Sequence, residues 1–176
     1  GVKKLQPGCY GIGKDVQLAI TRYYTPPFAT TEPDIFDFEE ALESFEKIFD
    51  ESVRIRMRSD AHFGAYLSGG IDSSAVVATM VRHSSEKVRT FSVGFEEAAS
   101  SELDSARTIA THFGTDHHEL TVTPDEFMEH WPAAIRHRGA PVTEASDIPI
   151  MMLSRMASRT VKMVLTGEGS DELMGG

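Results

Sequence analysis

Cysteine is all but missing from this sequence. Cys9 is its one example, so no internal disulfide can form, and the expected compartment is reducing, the cytoplasm. Cys9 also lacks a neighbouring histidine or helix start that would activate a thiol, which argues against a nucleophilic role. Long apolar runs are missing too. No stretch of about 18 apolar residues occurs, and the opening GVKKLQPGCYGIGK has no long apolar core, so neither a membrane partner nor a signal peptide is expected. Basic residues are in deficit, with 17 Lys and Arg against 27 Asp and Glu and a net charge of −10. Such a surface repels phosphate backbones, and no nucleic-acid partner is expected. Any phosphate must be held locally, by backbone N–H groups, a few side chains or a divalent cation. The chain does not begin with methionine, from which an upstream region is expected.

The remainder is ordinary for a globular protein: 176 residues, 40% apolar and 25% charged, enough for one α/β domain with a sizeable core. Residues 16 to 24, VQLAITRYY, predict a strand, and the proline- and threonine-rich TPPFATTEP behind them a linker, with a boundary near residue 31. From Asp37 to about Arg58, Phe38, Leu42, Phe45, Phe49 and Val53 recur at three- and four-residue steps, predicting one buried helical stripe whose start Asp37 and Glu40 cap. Strand and helix then alternate. FGAYL at 63–67 and VRTFSVGF at 88–95 are predicted strands with the helix AVVATMVRH between them. A helix from about Ser101 ends at Gly114, and HHELTV at 117–122 is the next strand. Thr123, Pro124 and Glu126 open a further helix, which Pro132 is expected to interrupt. After the loop GAPVTEASD, a helix from Ile148 to Arg159 leads into the strand VKMVL at 161–165. This order predicts an α/β fold with an open, mostly parallel sheet and helices on both faces, its ligands bound beyond the carboxyl ends of the strands.

Two glycine-rich junctions fall at such ends. In YLSGGIDSS (66–74), Gly69 and Gly70 permit a tight turn, the following helix start points N–H groups outward, and Ser68, Ser73 and Ser74 add short hydroxyl donors. Those features suit a pyrophosphate. Asp72 does not, because a carboxylate repels phosphate unless a cation lies between them, and magnesium is the natural bridge. The loop is not of the GxxxxGK type, since spacing and lysine are both wrong. The second junction, TGEGSDELMGG, follows VKMVL and supplies Glu168 and Asp171; Asp72 and Asp171 are the expected metal pair, and Glu168, between two glycines, is placed to touch the reacting group. The bland alternative is a pair of turns whose serines and carboxylates only cap helices. DHHEL at 116–120 suggests a metal site, but His117 and His118, adjacent on a strand, point to opposite faces. Met151, Met152, Met156 and Met163 are expected core filler.

Taken together, YLSGGIDSS, TFSVGF, HFGTDHHEL and VLTGEGSDELMGG resemble the synthetase domain of glutamine-dependent asparagine synthetases, members of the N-type ATP pyrophosphatase group. The resemblance covers nearly all of the chain. It implies an adenine nucleotide alpha hydrolase-like fold of the PP-loop type over residues 31–176, incomplete at its carboxyl end, with residues 1–30 a linker from an absent amino-terminal glutaminase domain. It implies ATP and Mg2+ as cofactors, with Ser68, Gly69, Gly70, Asp72, Ser73 and Ser74 on the pyrophosphate and Asp72 and Asp171 on the metal. Leu67, Val93 and Gly167 match positions that contact AMP, Thr166 stands where serine is common, and Glu168 matches the carboxylate associated with forming the acyl-adenylate. The implied reaction adenylates the β-carboxylate of aspartate, and ammonia from the glutaminase domain displaces AMP to give asparagine. A homodimer is expected, and the 176 residues alone are expected to be inactive. In HRGAPVTEAS, Gly139 and Ala140 replace the acidic residue that many members carry before the proline. That departure leaves open a relative that adenylates another carboxylate, making another amide or a β-lactam ring. A nucleotide-binding module without turnover is the other alternative.

Overall fold

The computed structural model describes residues 3–27, 32, 34–96, 102–141 and 144–174. The chain forms two compact units, Gly1–Glu46 and Lys47–Gly176. In the first, β1 (Cys9–Lys14) and β2 (Gln17–Arg22) pair antiparallel, Lys14 opposite Gln17. Asp15, at φ 56, makes the two-residue turn between them. The predicted strand at 16–24 corresponds to β2, whereas β1 was hidden by the glycines of CYGIGK. The expected boundary near residue 31 lies outside the described residues.

Helix α1 (Phe38–Arg56) spans the division between the units. Its start is capped as expected, with the Glu40 N–H donating to Asp37 Oδ1 at 3.0 Å. The expected stripe is buried only toward its end: Val53 is buried and Phe49 packs beside it, while Phe38 and Leu42 are exposed.

The second unit follows the predicted rhythm: β3 (Phe63–Tyr66), α2 (Ile71–His83), β4 (Arg89–Phe95), α3 (Glu102–Phe113), β5 (Asp116–Val122), α4 (Pro124–Arg138), α5 (Asp147–Ala157), β6 (Met163–Leu165) and α6 (Ser170–Met174). The four strands are parallel in the order β5-β4-β3-β6. Successive side chains of a strand point to opposite faces, and the core divides accordingly. Ala65 and Leu165 join Val53, Val77, Met80, Ala106 and Ala110 from α1, α2 and α3 on one face. Tyr66, Phe91 and Val164 meet Leu153 and Ala157 of α5 on the other. Helices therefore cover both faces, and each fully buried Leu- or Phe-sized side chain contributes about 1.5–3 kcal/mol. Met163 and Met156 border the two clusters, in keeping with their expected role.

A further expectation fails at α4. Pro132 sits inside α4 without ending it. Pro132 and Met128, the residue whose carbonyl loses its intrahelical donor, both lie on the exposed face of the helix, where water can take that carbonyl. The helix is also well fastened at both ends. Thr123 and Glu126 form a complete capping box, and the N–H of Gly139, at φ 68, donates to Ile135 O. Among the described residues, no helix is long and apolar enough to cross a membrane.

Candidate functional site

Strand β3 has β4, which follows it, on one side and β6, reached only after β5, on the other, so the order of the strands reverses at β3. Such a switch point opens a crevice at the carboxyl ends. Both glycine-rich junctions stand there, SGGIDSS between β3 and α2 and TGEGS between β6 and α6.

The first junction is held by its own serines. The Ser68 N–H donates to Ser73 Oγ at 3.2 Å, and the two hydroxyls lie 2.9 Å apart. Ser73 Oγ donates to Gly70 O at 3.3 Å, and the Gly70 N–H donates to Ser68 Oγ at 3.3 Å. A hydroxyl has one proton and two lone pairs. The Ser73 proton therefore goes to Gly70, its lone pairs take the Ser68 N–H and O–H, and the buried Ser73 group is fully satisfied. Ser74 Oγ also donates to Gly70 O, at 2.6 Å. The hydroxyls expected to meet pyrophosphate thus first shape the loop. Gly70 caps α2 without a side-chain hydrogen bond, so the N–H groups of the first turn carry no side-chain cap and are directed at the crevice.

Gly69 is required twice over. Its φ of 85 suits glycine, and a Cβ would lie 2.6 Å from Ser105 Cβ and 2.7 Å from the Ala106 nitrogen, so α3 closes on the loop. Gly167 joins the two junctions. A Cβ there would lie 2.8 Å from the Ser73 nitrogen and 2.9 Å from Asp72 Cβ, so the loop after β6 rests directly on the first turn of α2. Thr166 Oγ1 accepts the Glu168 N–H at 3.3 Å, and the Ser170 N–H donates to Gly167 O at 3.3 Å, folding this second loop on itself.

Of the expected site residues, Leu67 is buried and its N–H donates to Phe91 O at 2.9 Å. Val93 is half-buried against the α5 side of the sheet. Asp72 is half-buried at the α2 start, and Thr166, Glu168 and Asp171 are exposed on the second junction. Neither junction contains a Lys or Arg. The acidic side chains there can favour the helix starts by charge alone, so their number by itself does not make a site. The magnesium donor set nonetheless fits: two carboxylates offer hard oxygens and leave positions for phosphate and water, which is how magnesium is usually held. Among the described residues, no group of three or more His, Cys, Asp or Glu side chains forms a cage for a metal ion.

His117 and His118 do diverge. His117 Nδ1 hydrogen-bonds Thr90 Oγ1 at 2.9 Å, while His118 stacks on Phe91 at 5.4 Å. His117 Nε2 stands 3.3 Å from Glu119 Oε1 yet makes no hydrogen bond, close enough for a charge interaction but misaligned. Burial pushes the His117 pKa down against the opposing pull of Glu119. A cavity of about 460 Å3 lined by Arg54, Met57, Phe63 and His83 opens at the amino-terminal edge of the sheet, away from both junctions. Its Arg54 is engaged with Glu51 and its His83 with Asp50.

Sequence reasoning missed Ser92, Ser105 and Ala106. Ser105 and Ala106 carry no local signal. Ser92 does, as a polar residue inside the apolar strand RTFSVGF; it is buried, and its hydroxyl donates to Leu67 O.

Residues 44–176 match the asparagine synthase family. Asparagine synthetase (glutamine-hydrolyzing) 1 of Bacillus subtilis is 35% identical over 178 residues, which cover 99% of this chain and 27% of that protein. A relative in Mycobacterium bovis is 39% identical over 179 residues, covering 100% of this chain and 27% of its own length. The chain thus spans about 27% of the length of these curated relatives. Among solved structures, an NH3-dependent NAD synthetase from Campylobacter jejuni aligns with a TM-score of 0.50 at 18% identity, over 79% of this chain and 60% of that one. That likeness concerns the fold, an open parallel α/β sheet of the PP-loop, adenine nucleotide alpha hydrolase-like kind.

Proposed function

From the premise that this chain belongs to the asparagine synthase family, we propose that it is the ATP-using part of an asparagine synthetase. In this reading it joins AMP to the β-carboxylate of aspartate and releases pyrophosphate. The observation that carries the reading is the approach at Gly167, which seats the loop of Glu168 and Asp171 on the helix start of Asp72 and Ser73.

A carboxylate oxygen is a poor leaving group until it is esterified. Attack of the aspartate β-carboxylate on the α-phosphorus of ATP makes that ester and expels pyrophosphate. Around the departing pyrophosphate stand Ser68, Gly69, Gly70, Ser73 and Ser74: N–H groups at the α2 start, free of a side-chain cap, take its charge, while the three hydroxyls, whose protons are engaged inside the loop, keep it in shape. Asp72 and Asp171 would hold the magnesium, which when bound supplies the positive charge that neither junction carries. Leu67, Val93, Thr166 and Gly167 border the nucleotide. Glu168, exposed beside the metal carboxylate, acts on the adenylation step. Ammonia from a glutaminase domain, which residues 1–30 would join to this one, displaces AMP and gives asparagine in the cytoplasm. The domain proper would occupy residues 31–176 and continue beyond them.

The departure at Gly139 has a backbone explanation. Gly139 closes α4 at φ 68, a left-handed conformation that suits glycine, so the glycine serves the helix end and does not by itself call for another substrate; that account does not extend to Ala140.

The test is pyrophosphate release by the encoded full-length protein with ATP, magnesium and glutamine. Release that depends on aspartate, with asparagine as product, is expected. Release that depends on a different carboxylate would replace aspartate adenylation with the neighbouring chemistry, and nucleotide binding without release would leave a binding module. Sedimentation of the same preparation tests the homodimer.

A further inference from the structure

The β3–β4 ladder stops one step earlier than the chain requires. In β4, even-numbered residues face β5: the Asp116 N–H donates to Val88 O at 2.9 Å and the Glu96 N–H to Val122 O at 3.4 Å. Odd-numbered residues face β3, as the bond from Leu67 N–H to Phe91 O confirms. Continuing this parallel pattern, the Val93 N–H would donate to Leu67 O. It does not. The buried Ser92 hydroxyl donates to that carbonyl instead, and among the described residues the Val93 N–H has no partner.

An unpaired strand N–H is costly unless water or a ligand takes it. Here it faces the gap where the chain leaves β3 for the Ser68–Gly70 turn. We propose that Ser92 is a positioning residue: by occupying the Leu67 carbonyl, it keeps β3 and β4 from closing and holds the Val93 N–H free for the base of a bound adenine nucleotide. The inference rests on the nucleotide reading given above. Ser92 touches neither phosphate nor metal in this role. It acts through Leu67 and Val93 on the base end of the site, whereas Ser68, Ser73 and Ser74 shape the phosphate end.

The experiment compares Ser92→Ala and Ser92→Thr in the full-length protein with AMP and inorganic pyrophosphate as separate probes. Without the hydroxyl, Leu67 O is released to Val93, and amide exchange at Val93 should slow in the alanine variant without any nucleotide present. Its AMP affinity should fall about five- to tenfold, the size of one lost neutral hydrogen bond. Pyrophosphate affinity should stay within twofold, and threonine, which keeps the hydroxyl, should restore AMP binding. Parallel loss of pyrophosphate affinity would mean a general loosening of the loop and would overturn the proposal. So would unchanged AMP affinity in Ser92→Ala when the wild-type protein binds AMP. Failure of the wild-type protein to bind AMP refutes the functional reading instead. Val93 exchange that does not slow in Ser92→Ala overturns the role of Ser92 whether or not nucleotide binds.

Discussion

Substituting alanine for Gly167 tests whether the two junctions form one site. The added carbon would meet three atoms of the α2 start, the Ser73 nitrogen at 2.8 Å, Asp72 Cβ at 2.9 Å and the Asp72 carbonyl carbon at 3.0 Å. Two of these are backbone atoms that cannot rotate aside, so a loop must move by several tenths of an ångström. Overpacking of this kind costs about 1–3 kcal/mol. The displacement falls between the carboxylates proposed to share one magnesium, and misplacing reacting groups by about 1 Å costs on the order of 10²-fold in rate. Gly169→Ala is the control. Its φ of 91 strains any side chain, but nothing lies within 4 Å of a Cβ there, so it reports backbone strain without the collision. Both variants would be made in the full-length protein and assayed by urea denaturation and by pyrophosphate release at saturating ATP. The expected result is lowered stability in both, with release falling at least tenfold further in Gly167→Ala than in Gly169→Ala. Equal release in the two variants would refute the argument that contact at Gly167 aligns the site, and unchanged stability of Gly167→Ala would refute the packing itself.

Asp72→Asn and Asp171→Asn should each weaken magnesium-dependent ATP binding while leaving the small magnesium-free component alone; calorimetry showing unchanged magnesium dependence in both removes the metal pair. Glu168→Gln should keep ATP affinity and lose about 10²-fold or more of pyrophosphate release, and near-normal release would end its assigned role. His117, held below the usual histidine value of about 6.5 by burial, is protonated more readily in the unfolded chain than in the folded one. Its contribution to stability is therefore complete above about pH 6.5 and is lost as pH falls toward the folded value. Denaturation midpoints should drop more steeply between pH 7 and pH 5 in the wild-type protein than in His117→Gln; equal slopes would show that the buried ring does not titrate as described.

Periodicity and punctuation in the chain determined a good part of this protein. The repeat of strand, glycine-rich turn and helix placed β3, β4, β5 and β6 in order, and it located SGGIDSS and TGEGSD at strand ends, because strand and helix propensity and turn chemistry act over a few residues. The helix caps at Asp37 and at Thr123 with Glu126 were legible for the same reason. Pro132 marks the limit of such local rules, since its cost depends on whether the face it interrupts meets water or core. Only the tertiary structure decided which strands are neighbours. β6 lies beside β3, far from it in sequence, and that adjacency turns two separate loops into the facing walls of one crevice. The contacts of Gly69 with α3 and of Gly167 with α2 belong to this class, as does the bond from Ser92 to Leu67. Each depends on a distance between residues remote in the chain, and no pattern within a few residues encodes such a distance.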